Sequence, residues 1–116
     1  MPLTGHATRG LRALAHKLKP VVQIGKEGVT PGVVKAIAQA LVDHELLKVK
    51  ILPEAPEDRK FIAAQAASGT ASDVVQLVGR VVTLYKPHPK KPKIPVPKGY
   101  TAPAPISRAR DEDEEE

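Results

Sequence analysis

Leu3, Ala7, Leu11, Leu14, Ala15 and Leu18 recur three and four residues apart, which puts them on one face of a helix over residues 4–18 with Thr4 as its cap. Pro20 ends that helix because it has no N–H to continue the ladder. Val21-Val22-Gln23-Ile24 is a short β-branched run typical of a buried strand. Gly25-Lys26-Glu27-Gly28 breaks it, and Thr30-Pro31 reads as a cap followed by proline in the first helical position. Val33, Val34, Ile37, Ala38 and Leu41 mark the buried face of a second helix that runs to about His44. In Leu46-Leu47-Lys48-Val49-Lys50-Ile51 the two lysines alternate with apolar neighbours, predicting a strand with one polar and one buried face.

Residues 53–56 form a turn, and Glu57-Asp58 place negative charge at the positive end of a third helix. That helix carries Phe61, Ile62, Ala66 and Ala67 on its buried side and is expected to stop near Ser68-Gly69. Residues 73–78 and 81–86 are β-rich runs joined by Gly79-Arg80, a connection suited to a tight hairpin. The predicted class is α/β, a single small domain ordered helix-strand-helix-strand-helix-strand-strand, with a four-stranded mixed sheet and helical cover. Strands separated by helices are expected to be parallel with right-handed crossovers, and the final pair antiparallel.

The alternating patterns stop at Lys86. Residues 87–110 hold seven prolines, six basic side chains and no acidic one, which predicts an extended or disordered tail. The six residues that follow, 111–116, are all acidic and form a self-repelling end. The expected division is therefore a folded domain over 3–86, a proline- and lysine-rich tail over 87–110 and an acidic end.

At 116 residues the chain is one domain's worth. Its apolar runs are far shorter than the roughly 20 residues that span a bilayer, and the first residues carry no basic segment leading into an apolar one, so a soluble protein without a membrane partner is expected. The absence of cysteine agrees with a reducing, cytoplasmic setting and excludes disulfides, thiolate metal sites and cysteine nucleophiles. The net charge of +5 averages two populations. Without the acidic end, 18 basic side chains face 7 acidic ones, and such a positive body points to a polyanion, nucleic acid ahead of membrane. With Phe61, Tyr85 and Tyr100 as the only aromatic residues, gripping bases by stacking on several rings is disfavoured.

Candidate chemistry centres on Gly25-Lys26-Glu27-Gly28, between a strand and a capped helix. Two glycines let a ligand backbone approach, amides at a helix start attract phosphate, and Lys26 adds charge. Neither nucleotide-binding glycine pattern occurs in the chain. Spacing alone leaves two readings open, a plain turn and a GxxG clamp on nucleic-acid backbone. Arg9, Arg12, His16 and Lys19 share one stripe of the first helix, which is either an ordinary solvated face or part of the same surface. The four histidines lack the spacing of a zinc site, adjacent Glu57 and Asp58 do not face each other on a helix, and no serine has a nucleophile setting. No enzyme, metal or cofactor is expected. Tyr85 is left open between a solvent-edge residue and a nucleic-acid contact.

Leu14-Ala15-His16-Lys17-Leu18-Lys19-Pro20-Val21-Val22, Gly25-Lys26-Glu27-Gly28-Val29-Thr30, His44-Glu45-Leu46-Leu47-Lys48-Val49-Lys50 and Val78-Gly79-Arg80-Val81-Val82-Thr83-Leu84-Tyr85-Lys86 together resemble the YhbY family of CRM-domain proteins over about residues 3–86. The resemblance implies an RNA-binding fold similar to the carboxy-terminal domain of translation initiation factor three, association with precursors of the large ribosomal subunit, and a role in ribosome assembly. It implies the GxxG loop at Gly25, Lys26, Glu27 and Gly28. The tail departs from the compact family pattern, so nothing about it is inherited. Joined with the charge pattern, the expected RNA surface is that loop with Arg9, Arg12, His16, Lys19, Lys48, Lys50, Arg80 and Lys86. It would hold ribosomal RNA backbone rather than read bases, with a monomer as the favoured state. The competing reading is a DNA-architectural or protein-interaction module whose basic tail does the binding.

Overall fold

The computed structural model describes residues 5–88 and 90–94, with side chains from Thr8 onward. The elements follow the predicted order: α1 (Gly5–Ala15), β1 (Pro20–Ile24), α2 (Pro31–His44), β2 (Leu46–Ile51), α3 (Arg59–Thr70), β3 (Asp73–Val78) and β4 (Val81–Tyr85). One sheet holds all four strands in the order β1-β2-β4-β3. β1 and β2 are parallel, as two strands joined through a helix should be, and β4 is antiparallel to both of its neighbours. β2 and β3 therefore run the same way, with β4 between them.

Alternation along the strands sorts the sheet into two faces. Ile24, Leu47, Val49, Ile51, Val82 and Leu84 meet Ile37 and Leu41 of α2 and Ile62, Ala63, Ala66 and Ala67 of α3 in the main core. On the other face Leu46, Val75 and Tyr85 meet Leu11 and Ala15 of α1 in a smaller cluster. Lys48, Lys50, Thr83 and Val81 continue that second face, because Lys48 lies opposite Thr83 and Lys50 opposite Val81. α1 packs on β2 and β3.

Several local readings are corrected. α1 ends at Ala15, three residues early, and tightens through Leu18 N–H donating to the Ala15 carbonyl at 2.9 Å. Leu18 thus falls off the packed stripe and is exposed, and Leu14, still within α1, is also exposed, by 53%. The cap expected at Thr4 lies outside the described residues. β1 is an edge strand in which Ile24 alone is fully buried, since no strand covers its outer side. Phe61, expected in the core, is 53% exposed while its neighbour Ile62 is fully buried. Tyr85 is neither at a solvent edge nor open to a ligand, because α1 covers it. Burial, with the charges of Glu45 and Asp73, pushes its hydroxyl up to about 12.

Gly69 does not stop α3. A Cβ there would sit 3.3 Å from Val34 Cγ2, so the glycine lets α2 and α3 approach closely. The left-handed stop falls at Ala71 (φ 55°), with Ser72 N–H donating to the Ala67 carbonyl at 2.9 Å. At the other end Asp58 caps α3 by accepting from Lys60 N–H at 3.0 Å.

The start of the proline-rich segment is held against the domain by a residue the patterns did not single out. Glu45, between α2 and β2, is fully buried with φ 66°. Its N–H donates to the Leu41 carbonyl and its carbonyl accepts from Lys86 N–H, both at 2.8 Å. Its carboxylate accepts three backbone N–H groups at 2.8 Å: His88 on Oε2, and Lys93 and Ile94 on Oε1. His88 Nδ1 in turn accepts from Lys90 and Lys91 N–H at 3.1 Å. Residues 87, 89 and 92 are prolines with no N–H to place. Every N–H donor between 87 and 94 therefore ends on one of these two side chains, and the segment forms a strap with Ile94 packed against the α1 cluster. Residues 95–116, including the acidic end, lie outside the described residues.

Two predictions follow from this packing. Ile62→Ala should cost about 2–5 kcal/mol by leaving a core cavity, whereas Phe61→Ala should cost less than about 1 kcal/mol, as urea denaturation will measure. Burial alone would raise the Glu45 carboxyl, but the N–H groups of Ile94, His88 and Lys93 outweigh it and hold it below its ordinary 4.5. Its contribution is thus complete above the unfolded value and lost as pH falls through the lower folded value. Urea midpoints should drop on acidification below about 4.5, and Glu45→Gln, less stable at neutral pH, should show a flatter acid limb.

Candidate nucleic-acid interface

Gly25-Lys26-Glu27-Gly28 is a tight turn closed by Gly28 N–H donating to the Gly25 carbonyl at 2.9 Å, with Lys26 and Glu27 exposed at its tip. The two glycines have different jobs. Gly28 is buried with φ +73°, and a Cβ there would meet Pro56 Cγ at 3.2 Å, so glycine is required by the turn itself. At Gly25 an added Cβ would meet Leu52 Cδ1 at 3.7 Å, ordinary contact, so its smallness is not demanded by the fold. The start of α2 offers fewer amides than its sequence suggests. Pro31 has none, Val33 N–H goes to Thr30 Oγ1 at 3.1 Å and Val34 N–H to the Thr30 carbonyl at 2.9 Å. Gly32 carries the one donor of that turn not used by the cap.

The turn at the end of β1 lies at the same end of the sheet as Arg80. Leu52 N–H donates to the Ile24 carbonyl at 2.9 Å and Ile51 N–H to the Arg80 carbonyl at 2.7 Å. Arg59 Nη1 donates to the Gly79 carbonyl at 3.1 Å and so steadies the hairpin that displays Arg80. This end is not purely cationic, since Glu27 is part of the turn and Glu57 Oε1 would lie 3.8 Å from a Cβ at Gly28.

The open half of the second sheet face carries the stronger cationic feature. A groove of about 480 Å³ runs along it, lined by His16, Leu18, Lys19, Pro20, Lys48, Gln76, Val78, Val81 and Thr83, with no acidic residue. His16 and Lys19 come from the connection between α1 and β1, and Lys48 from β2 opposite Pro20. Lys50, exposed two positions along the strand and opposite Gln23, carries the same face toward the GxxG turn. The structure thus brings together His16, Lys19, Lys48 and Lys50, with Lys26 and Arg80 at the turn end. Arg9 and Arg12 are exposed on α1, about two turns and one turn before His16 respectively.

Lys86 is placed differently. It lies at the opposite end of the sheet from the GxxG turn, and its Nζ donates to the Thr70 carbonyl at 3.0 Å. Gln76 and Thr83 line the groove without having been singled out from sequence, and alternation from Lys48 to its cross-strand partner would have found Thr83. No group of three or more potential metal ligands occurs among the described residues, and no described helix is long and apolar enough to cross a membrane.

A small α/β domain with one sheet face dry and the other open and cationic is the class these residues define. The chain matches the CRS1 / YhbY (CRM) domain over residues 3–86. It is 40% identical over 95 residues to "Probable RNA-binding protein YqeI" of Bacillus subtilis, covering 82% of this chain and 99% of that protein. It is 42% identical over 105 residues to "Probable RNA-binding protein MJ0652" of Methanocaldococcus jannaschii, covering 83% and 78% respectively. The solution structure of SAV1595 from Staphylococcus aureus aligns with a TM-score of 0.69 at 36% identity, over 82% of this chain and 99% of that one. The chain belongs to the CRS1 / YhbY (CRM) family.

The asymmetry between the loop glycines is testable by stability alone. Gly28→Ala should cost about 1–2 kcal/mol, the penalty of a left-handed residue with a side chain, while Gly25→Ala should stay within about 0.5 kcal/mol of wild type.

Proposed function

We propose that this protein is a non-enzymatic, cytoplasmic RNA-binding protein that associates with precursors of the large ribosomal subunit and assists their assembly. The RNA path runs along the open sheet face, over His16, Lys19, Lys48 and Lys50, to the GxxG turn with Lys26 and Arg80. The observation that carries this reading is the groove, where basic residues from the α1–β1 connection and from β2 converge and no carboxylate is among the lining residues. Lysine offers a point charge to phosphate oxygens and does not read base edges, so binding follows RNA shape and backbone. Half-buried Gly25 and exposed Lys26 let a phosphate approach the turn, and Gly28 shapes it. The printed names of the relatives, RNA-binding proteins, support the partner class.

The test is an RNA-hairpin binding assay on the full chain across a salt series. Lys48→Ala with Lys50→Ala should weaken binding by roughly tenfold and make the log–log salt dependence shallower by about 1–2 units, with the urea midpoint little changed. Lys26→Ala with Gly25→Asp should weaken binding as well, without the strain a change at Gly28 would add. Truncation after Ile94, which keeps the N–H ligands of Glu45, should retain most of the affinity. Full affinity in both lysine variants, with loss on truncation, would overturn the sheet-face reading in favour of a tail that does the binding.

A further inference from the structure

We propose that the strap over residues 88–94 is a second phosphate-binding surface, in which Lys90, Lys91 and Lys93 continue the RNA path beyond the sheet face. The proposal rests on the sheet-face reading above and extends it.

The strap's hydrogen bonding turns its backbone inward and its lysines outward. The Glu45 carboxylate takes the N–H groups of His88, Lys93 and Ile94, and the His88 ring takes those of Lys90 and Lys91. Lys90, Lys91 and Lys93 remain exposed. Ile94 is the apolar foot, packed against the cluster of Leu11, Ala15 and Tyr85. Prolines at 87, 89 and 92 restrict the unbound chain, so less freedom is lost in docking it. Three lysines on a fixed backbone bind a polyanion with less ordering cost than the same lysines on a free tail.

The strap also adjoins the path already described. Lys19 lines the sheet-face groove and, with Leu14, Leu18, His44 and Ile94, a neighbouring apolar cleft of about 460 Å³. The strap therefore begins across one cleft from Lys19, the residue that ends the row of Lys50, Lys48 and Lys19 on the sheet face. The nearby carboxylates do not cancel it. Glu45 is buried with its charge spent on N–H groups, and Asp43 meets Lys93 through its carbonyl oxygen, 3.4 Å from Nζ. With no phenylalanine, tyrosine, tryptophan or arginine in residues 88–94, the matching chemistry is the phosphodiester backbone of RNA rather than its bases.

The experiment uses the full chain with two RNA hairpins, one with a stem much shorter than the 38 Å length of the molecule and one with a stem that exceeds it. Replacing Lys90, Lys91 and Lys93 by alanine should weaken the long hairpin by roughly tenfold and flatten its salt dependence by about 2 units, while the short hairpin changes less than about twofold. Glu45→Gln raises the net positive charge, yet it should weaken the long hairpin severalfold because the strap is no longer fixed. His88→Ala, which leaves Glu45 intact, should do the same if Glu45→Gln fails to fold. Equal losses on both hairpins in the triple variant, or wild-type affinity for the long hairpin in His88→Ala and the triple variant, would overturn the proposal. Failure of the sheet-face reading shows on the other probe, as unchanged short-hairpin binding in Lys48→Ala with Lys50→Ala.

Discussion

One buried carboxylate joins more of this molecule than any other side chain. Glu45 stands where α2 ends and β2 begins, in a left-handed backbone position that few side chains accept. Its main chain fastens Leu41 on one side and Lys86 on the other, and its side chain fastens the strap. An ionised group in such a place is tolerable only when its oxygens are fully used. Here three amides supply the solvation that water would otherwise give. The same contacts bring together a helix end, the starting edge of the sheet, the end of β4 and the segment beyond it.

The sheet divides its labour by face. α2 and α3 dry one side completely, and Gly69 lets them close over it by approaching Val34. α1 covers the other side only where Leu46, Val75 and Tyr85 lie. The uncovered remainder keeps its lysines in water beside small polar and β-branched residues. A shorter α1 is part of this arrangement. Because the helix ends at Ala15, the residues leading into Pro20 descend along the groove and carry His16 and Lys19 to its rim.

Most of the fold was legible because period and punctuation agreed. Thr30-Pro31 capped α2, Lys48 and Lys50 marked the strand that splits dry from wet, and Gly79-Arg80 made the hairpin. The misreadings came where tertiary contact overrode local pattern. Phe61 and Ile62 are both apolar, and only the position of the sheet decides which one is buried. Gly69 resembles a helix stop until Val34 is set against it. The cationic residues near the groove were legible by charge, but Lys86 looked equivalent until strand direction put it at the far end. The strap was illegible because proline density reads as absence of structure. Its partners, Glu45 and His88, are 43 residues apart in the chain.

The strap separates two properties that usually constrain each other. It is fastened mainly by backbone N–H groups, to which the Lys93 side chain adds one bond to the Asp43 carbonyl, while the side chains of Lys90 and Lys91 take no part in the hydrogen bonds that hold it. Lys90 and Lys91 can therefore be exchanged for any residue that keeps an N–H without loosening the attachment, whereas proline at either of them, or at Lys93, would remove a donor. Charge on this rim can drift over evolutionary time, or be set by an engineer, while the anchoring stays constant. The segment is thus a built-in display site whose chemistry is adjustable independently of the fold that carries it.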